Sequence, residues 1–369
     1  MFHSAIYTPD WIHGQRQALG QCDPAILEKC VRALTLLGYL QESGLPFLFK
    51  GGTSLLLHLP EARRLSRDID IVCGRPAAEV DAVLAKLASR EPFLRHEEEQ
   101  RGVRGLPQRR HFRFFYRSVL PGAAESEVLL DIVEESHEVH EVVMRPIRTN
   151  FLTPEREILV RVPTVESLLG DKLTAFAPHT TGVPFHAEKS GGEQLQQVAK
   201  QLFDVGVLFE EATDFNKIAA TYDAVQAQES AYRATNPSRE ATLDDTFTAC
   251  LALTATKQKI LSAYPDAMLL HDGLDKMRGH LTWPEFTRGK EPRRLLAARV
   301  AVLVAHLRAG RSLDLVGLRY TGSAVQLEAL KVASLNGHAH SWLDGLKAVN
   351  PEAYHYWHLG LNLPPPSQP

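Results

Sequence analysis

The sequence predicts an α+β protein in two parts: residues 1–163 mix strands with flanking helices, and residues 164–369 are mainly helical. Three observations carry this reading. Strand-length segments with period-two or continuous apolar patterning fall at 68–73, 111–117 and 128–133. Helix-length segments with 3.6-residue periodicity lie before and between them, at 24–42 and 77–89. After Pro163 the strand signature stops, and apolar spacing is mostly helical to about residue 350.

The elements follow in order. Asp23 is a helix cap, Pro24 suits a first helical turn, and Ile26, Val31, Leu34, Leu37 and Leu40 supply apolar positions up to a stop at Gly44. A short apolar run, 46–49, leads through Lys50 into Gly51 and Gly52, and 53–59 reads as one or two helical turns. Strand 68–73 and helix 77–89 come next. Strands 111–117 and 128–133 are followed by more extended chain over 141–162. Helix 164–177 opens the second part, and a loop rich in Gly, Pro and Thr spans 178–192. The proline-rich end, Pro364 to Ser367, reads as an unstructured tail.

Bulk properties limit the function classes. The net charge of −3 gives no global attraction to nucleic acid or anionic lipid, so any nucleic-acid contact must come from a local patch. The four cysteines form no CxxC pair and no zinc-finger spacing, which predicts reduced thiols and a cytoplasmic location. No apolar run of about 18 residues predicts a membrane span, and no basic-then-apolar start predicts a secretory signal.

Lys50-Gly51-Gly52-Thr53-Ser54 stands between an apolar strand-like run and helical turns. Two glycines admit a ligand close to the backbone, and the N–H groups of Gly51, Gly52, Thr53 and Ser54 suit a phosphate cradle; the plain alternative is a turn. Arg67-Asp68-Ile69-Asp70-Ile71 sharpens the first reading. On a strand, Asp68 and Asp70 share one face while Ile69 and Ile71 face a core. Adjacent carboxylates repel unless a cation sits between them, and Mg²⁺ or Mn²⁺ prefers such oxygen ligands. A solvent-facing polar strand is the alternative.

This combination resembles the DNA polymerase β-like nucleotidyltransferase superfamily, in which a Gly-Gly or Gly-Ser helical turn precedes a strand carrying two acids. The closer resemblance is to the AbiEii/AbiGii toxins of abortive-infection and type IV toxin–antitoxin systems. That family's KGGT-x-L and R-x-S-x-DID match Lys50 to Leu55 and Arg64 to Ile71. The resemblance implies a polymerase-β-like mixed sheet and metal-dependent transfer of NMP from NTP with pyrophosphate release. It further implies an RNA acceptor such as the tRNA 3′ end, and a cognate antitoxin protein as partner.

Further residues are drawn in around this core. The superfamily often uses a third acid on a neighbouring strand, and Asp131 in 128–133 is the candidate; at a strand end it would simply reach water. Lys172 falls amid the apolar face of helix 164–177, formed by Val165, Leu168, Leu169, Leu173 and Phe176. The segment around it resembles the family motif that supplies a nucleotide-binding lysine. Lys200 and Asp204 resemble a fourth motif, with Gln201 where the family often has Asp; read alone, the two are a surface i,i+4 ion pair. Ser66, two residues before Asp68, suggests a regulatory phosphorylation site beside the nucleotide, or else a turn hydroxyl.

Residues 101–117 hold a basic strip of Arg101, Arg104, Arg109, Arg110, His111, Arg113 and Arg117, interleaved with Phe112, Phe114, Phe115 and Tyr116. Arginines suit phosphates and aromatics stack on unpaired bases, so an RNA strand is expected here. The alternative is a solvated strand that answers the acidic run Glu97-Glu98-Glu99. Two other functions remain open: nucleotidylation of a protein or small-molecule hydroxyl, and a non-catalytic module that senses a nucleotide.

Overall fold

The computed structural model describes residues 2–99, 108–122, 124–134, 139–187, 191–255 and 258–363; Arg101, Arg104 and the 364–367 tail lie outside them. The chain divides into two compact units. One comprises Met1–Thr164 with Arg278–Pro284, the other Val165–Met277 with Glu285–Pro369.

In chain order the first unit holds α1 (Pro9–Ala18), α2 (Pro24–Glu42), β1 (Leu48–Lys50), α3 (Gly51–Ser54), β2 (Asp68–Val72), α4 (Ala77–Ala88), β3 (Phe93–Glu99), β4 (Arg109–Tyr116), β5 (Ser126–Val133), β6 (Val142–Pro146) and β7 (Leu159–Pro163). Five strands form a mixed sheet in the order β1-β2-β5-β4-β3. The β2–β5 pair is parallel and the others are antiparallel. β6 and β7 form a separate antiparallel pair.

Helix α2 starts where its cap says. The Asp23 carboxylate accepts from the Ala25 and Ile26 amides at 2.8 and 3.3 Å, and Pro24 occupies the first turn. Its apolar residues, Leu27, Val31 and Leu34 among them, share one core with Val80 and Leu84 of α4. The sheet gives that core every second residue: Ile69 and Ile71, Leu130 and Ile132, Phe112, Phe114 and Tyr116. The opposite face is left to the intervening residues, the acids of β2 and β5 included.

Two features were not legible beforehand. Strand β3 shows in the sequence only as an acidic run, because an edge strand carries charges on exposed positions. Segment 278–284, expected to belong with the helical part, instead joins the first unit through backbone hydrogen bonds. The Leu65 amide donates to the His280 carbonyl at 2.7 Å, the Thr282 amide to the Arg63 carbonyl at 3.2 Å, and the Asp23 amide to the Gly279 carbonyl at 2.9 Å. The loop that leads into β2 is thereby tied down.

Among the described residues the second unit is built of helices: α5 (Val165–Ala175), α6 (Leu195–Leu208), α7 (Phe215–Ala231), α8 (Arg239–Thr254), α9 (Gln258–Leu261), α10 (Ala267–Lys276), α11 (Pro284–Arg288, opening at the boundary), α12 (Glu291–Ala309), α13 (Ala324–Val332) and α14 (Pro351–Leu361). Helix α12 is its axis, buried from Leu296 to Leu307 and packed by α6, α8 and α14. Helix α14 lies beyond the expected helical limit near residue 350. No described helix is long and apolar enough to cross a membrane.

Partly buried imidazoles are expected to make this unit acid-sensitive. Burial, then the charges of Lys290 and Arg293, hold His271 down to about 4. Burial likewise holds His306, His340 and His358 below the usual imidazole value. A histidine with a depressed folded pKa contributes stability above about pH 6.5, and that contribution is lost as pH falls toward the folded value. The thermal midpoint is therefore expected to drop between about pH 7.5 and about pH 5, and to drop less in His271→Leu. A midpoint indifferent to pH over that interval contradicts this account.

Candidate active site

The glycine pair is dictated by what surrounds it. Gly51 has φ +76°, and a Cβ there would lie 1.9 Å from Asp70 Oδ2. A Cβ on Gly52 would lie 2.5 Å from a guanidinium nitrogen of Arg64 and 3.2 Å from Ser66 Oγ. The turn can therefore press against an acid, an arginine and a hydroxyl only because side chains are missing. Thr53 Oγ1 donates to the Asp68 carbonyl at 2.5 Å and Ser54 Oγ to the Gly51 carbonyl at 2.8 Å. Both residues are fully buried, so these hydroxyls brace the turn against β2; Gly51 and Gly52, half-buried, are the part of the expected cradle that reaches the surface. Ser66 is 8% exposed, which leaves little hydroxyl for a modifying enzyme to reach.

The sheet lines up the acids. Asp70 of β2 pairs with Lys50 of β1 on one side and with Asp131 of β5 on the other. Asp131 in turn pairs with His111 of β4, whose Nδ1 lies 2.7 Å from Asp131 Oδ1. Directly paired residues project from the same face, so Lys50, Asp70, Asp131 and His111 form one row. Asp68 lies two residues away on that face, and Arg67 Nε is 3.9 Å from its Oδ1. Lys29, on α2, sits in the field of Asp68, Arg67 and Glu127. Partial burial and then Arg67 hold its ammonium below the usual lysine value, against the pull of Glu127, Asp68 and Glu28. Neither Lys29 nor the His111–Asp131 bond was foreseen. Lys29 is one of several charged residues on α2, with Glu28, Arg32 and Glu42, and nothing local sets it apart; the bond needs the register of strands β4 and β5.

The donor set fits a hard divalent ion. Among the described residues no three His, Cys, Asp or Glu side chains close into a metal cluster. What stands on the sheet is an open row of carboxylates, and Mg²⁺ is commonly held by one or two carboxylates, water and substrate phosphates. Asp68 and Asp70, with Asp131 beside them, are the residues that would hold it.

The basic strip is less available than its composition suggests. Arg110 is engaged by Glu98 at 2.8 Å and Asp81 at 2.7 Å, and Arg113 by Glu99 at 3.2 Å and Glu127 at 3.7 Å. Arg109 is exposed, and Arg117 is exposed beyond the end of β4. The expected base-stacking ring set is corrected. Phe112, Phe114 and Tyr116 are core residues, because alternation along β4 turns them inward. Phe115 alone of the four is partly exposed, and Arg95 lies over its ring at 3.7 Å.

The second unit brings together the other expected residues. Lys172 Nζ on α5 donates to Gln201 Oε1 at 3.0 Å and lies 3.3 Å from Asp204 Oδ2, both on α6. Asp204 is fully buried and Lys200 is 7% exposed, so these two do not form a surface ion pair. Removing one partner of a buried pair strands the other charge, at a cost of about 3 kcal/mol. Lys172→Met is therefore expected to lower the urea midpoint clearly, and adding Asp204→Leu to recover part of the loss. A double variant less stable than the single one contradicts the pairing.

Residues 35–277 match the family model described as nucleotidyl transferase AbiEii toxin, type IV toxin–antitoxin system. Among solved structures, JHP933 from Helicobacter pylori is 16% identical, over 82% of this chain and 96% of its own, with a TM-score of 0.39. MenT4, a nucleotidyltransferase toxin from Mycobacterium tuberculosis, is 14% identical, over 78% of this chain and 94% of its own, with a TM-score of 0.42. No curated protein matches the chain.

Proposed function

Since the chain belongs to the AbiEii family of nucleotidyltransferase toxins of type IV toxin–antitoxin systems, we propose that it transfers NMP from an NTP to the 3′ end of a tRNA. The acceptor hydroxyl oxygen bonds to the α-phosphorus, the α–β bridging bond breaks, pyrophosphate leaves, and the hydroxyl proton passes to solvent. The observation that carries this reading is the row of Asp70 and Asp131, with Asp68 on the same face, beside a glycine turn pressed against Asp70.

When bound at Asp68 and Asp70, Mg²⁺ or Mn²⁺ supplies activation of the acceptor hydroxyl and charge compensation for the leaving group. The chain's own residues do the rest. The backbone N–H of Gly52 is the candidate to orient the phosphates, with Gly51 giving them room beside Asp70 and the buried Thr53 and Ser54 bracing the turn from behind. Lys172, whose ammonium Asp204 and Gln201 hold within the second unit, is by its family motif the candidate for neutralising phosphate charge. Lys200 is a second candidate for phosphate contact. Arg109 and Arg117, exposed on and just after β4, are the candidates for the RNA backbone. Growth arrest, restrained by a cognate antitoxin, is the proposed biology.

One observation favours a second reading. Arg110 and Arg113 are already ion-paired, which reduces the basic surface left for RNA and suits a protein or small-molecule hydroxyl as acceptor. Transfer of label from each α-labelled NTP to purified total tRNA, for wild type and Asp68→Ala, separates the two. Label on tRNA with wild type alone supports the first reading. Label on protein, indifferent to added RNA, supports the second. Nucleotide binding that survives Asp68→Ala with no turnover for either protein leaves a sensing module.

A further inference from the structure

We propose that His111 is a positioning residue that orients Asp131 for a divalent cation. The inference rests on the reading that Asp131 is the third acid of the site.

From Val128 to Val133, strand β5 is apolar except for this one acid. Alternation sends Val128, Leu130 and Ile132 into the core and places Asp131 on the opposite face. The registers set Asp131 between Asp70 on the parallel strand and His111 on the antiparallel one. His111 Nδ1 and Asp131 Oδ1 are 2.7 Å apart, and the two side chains are 16% and 31% exposed. An ionised carboxylate can only accept, so Nδ1–H donates, and the bond is of the short, charge-assisted kind.

The consequence is geometric. One carboxylate oxygen of Asp131 is anchored, the plane of the group is set, and the second oxygen is left for a cation. A carboxylate without that anchor would lose rotamer freedom at the moment of binding, and it would be repelled by Asp70 on the adjacent strand. The strand that carries the imidazole is itself fixed from its other face, where Phe112 is buried and Arg110 is pinned by Glu98 and Asp81. Partners that hydrogen-bond ligating groups in this way typically change metal affinity by about 10–100-fold when removed.

The test reads Mn²⁺ binding to the full chain by the paramagnetic resonance signal of free Mn²⁺, with no nucleotide or acceptor. Five variants are compared: His111→Leu, His111→Asn, His111→Gln, Asp131→Asn and the double variant His111→Leu/Asp131→Asn. Asn puts an N–H where Nδ1 was, whereas Gln puts it nearer the Nε2 position. Expected are a loss of about tenfold or more for His111→Leu and His111→Gln, and retention within about threefold for His111→Asn. The double variant is expected to bind no more weakly than Asp131→Asn alone, because His111 acts through Asp131. Thermal midpoints identify any variant that fails to fold, and the Asn–Gln contrast holds the argument if Leu is one.

Asp131→Asn weakening Mn²⁺ while every His111 variant binds like wild type would overturn the role of His111 and leave Asp131 a ligand. Wild-type affinity in Asp131→Asn, or no Mn²⁺ binding by wild type in the millimolar range, would overturn the third-acid reading and this inference with it.

Discussion

Asp70→Asn is expected to reduce nucleotide transfer by about a thousandfold or more, and Asp68→Asn to do the same. A loss of that size corresponds to about 4 kcal/mol of barrier, within what a charged group at a phosphoryl-transfer centre contributes. The amide keeps the size of the side chain and removes its charge. Stability should move little, and in the metal-free protein it should hold or rise. Asp70 lies directly across from Asp131 on the parallel strand, and like charges so placed are destabilising. Single-turnover transfer and a thermal melt on the same preparations check both halves. Activity that survives in either variant contradicts the assignment, and a collapsed midpoint in both would mean that the acids hold the sheet together.

Gly51→Ala is expected to cost both activity and stability. Its φ of +76° lies where an L side chain is strained by about 1 kcal/mol. Beyond that, the new Cβ would lie 1.9 Å from Asp70 Oδ2 and 2.6 Å from its Cγ, so the carboxylate has to move. A misplacement of about 1 Å at a reacting centre can cost roughly a hundredfold in rate, which is the loss expected in transfer. Gly44→Ala provides the control. It has nearly the same φ, +78°, with nothing near the added atom, so it should lose only the backbone strain and keep its activity. Equal activity in the two variants would falsify the claim that Gly51 is glycine for the sake of Asp70.

Much of this site could be read from contiguous residues. The Asp23 cap, Pro24 and the helical spacing that follows are local signals, and α2 begins and ends where they place it. The alternation of Asp68, Ile69, Asp70 and Ile71 needs no partner strand to be seen, and Ile69 and Ile71 are fully buried. The basic strip shows where such reading fails. Its composition looks like a nucleic-acid surface, yet the arginine partners come from α4, β3 and β5, and the rings turn inward.

By itself, the sequence determined the α+β class, the glycine turn against a two-acid strand, and the nucleotidyltransferase family those residues mark. These follow from periodicity, capping and motif spacing, which are properties of neighbours along the chain. Only the tertiary structure set Asp131 beside Asp70, gave Asp131 its His111 donor, paired Lys172 with Asp204, and tied the loop before β2 to segment 278–284. Each joins elements that another part of the chain separates, as the strand order β1-β2-β5-β4-β3 makes plain. Register and ion pairing come from burying a shared core, and no local pattern encodes which distant charge will end up opposite.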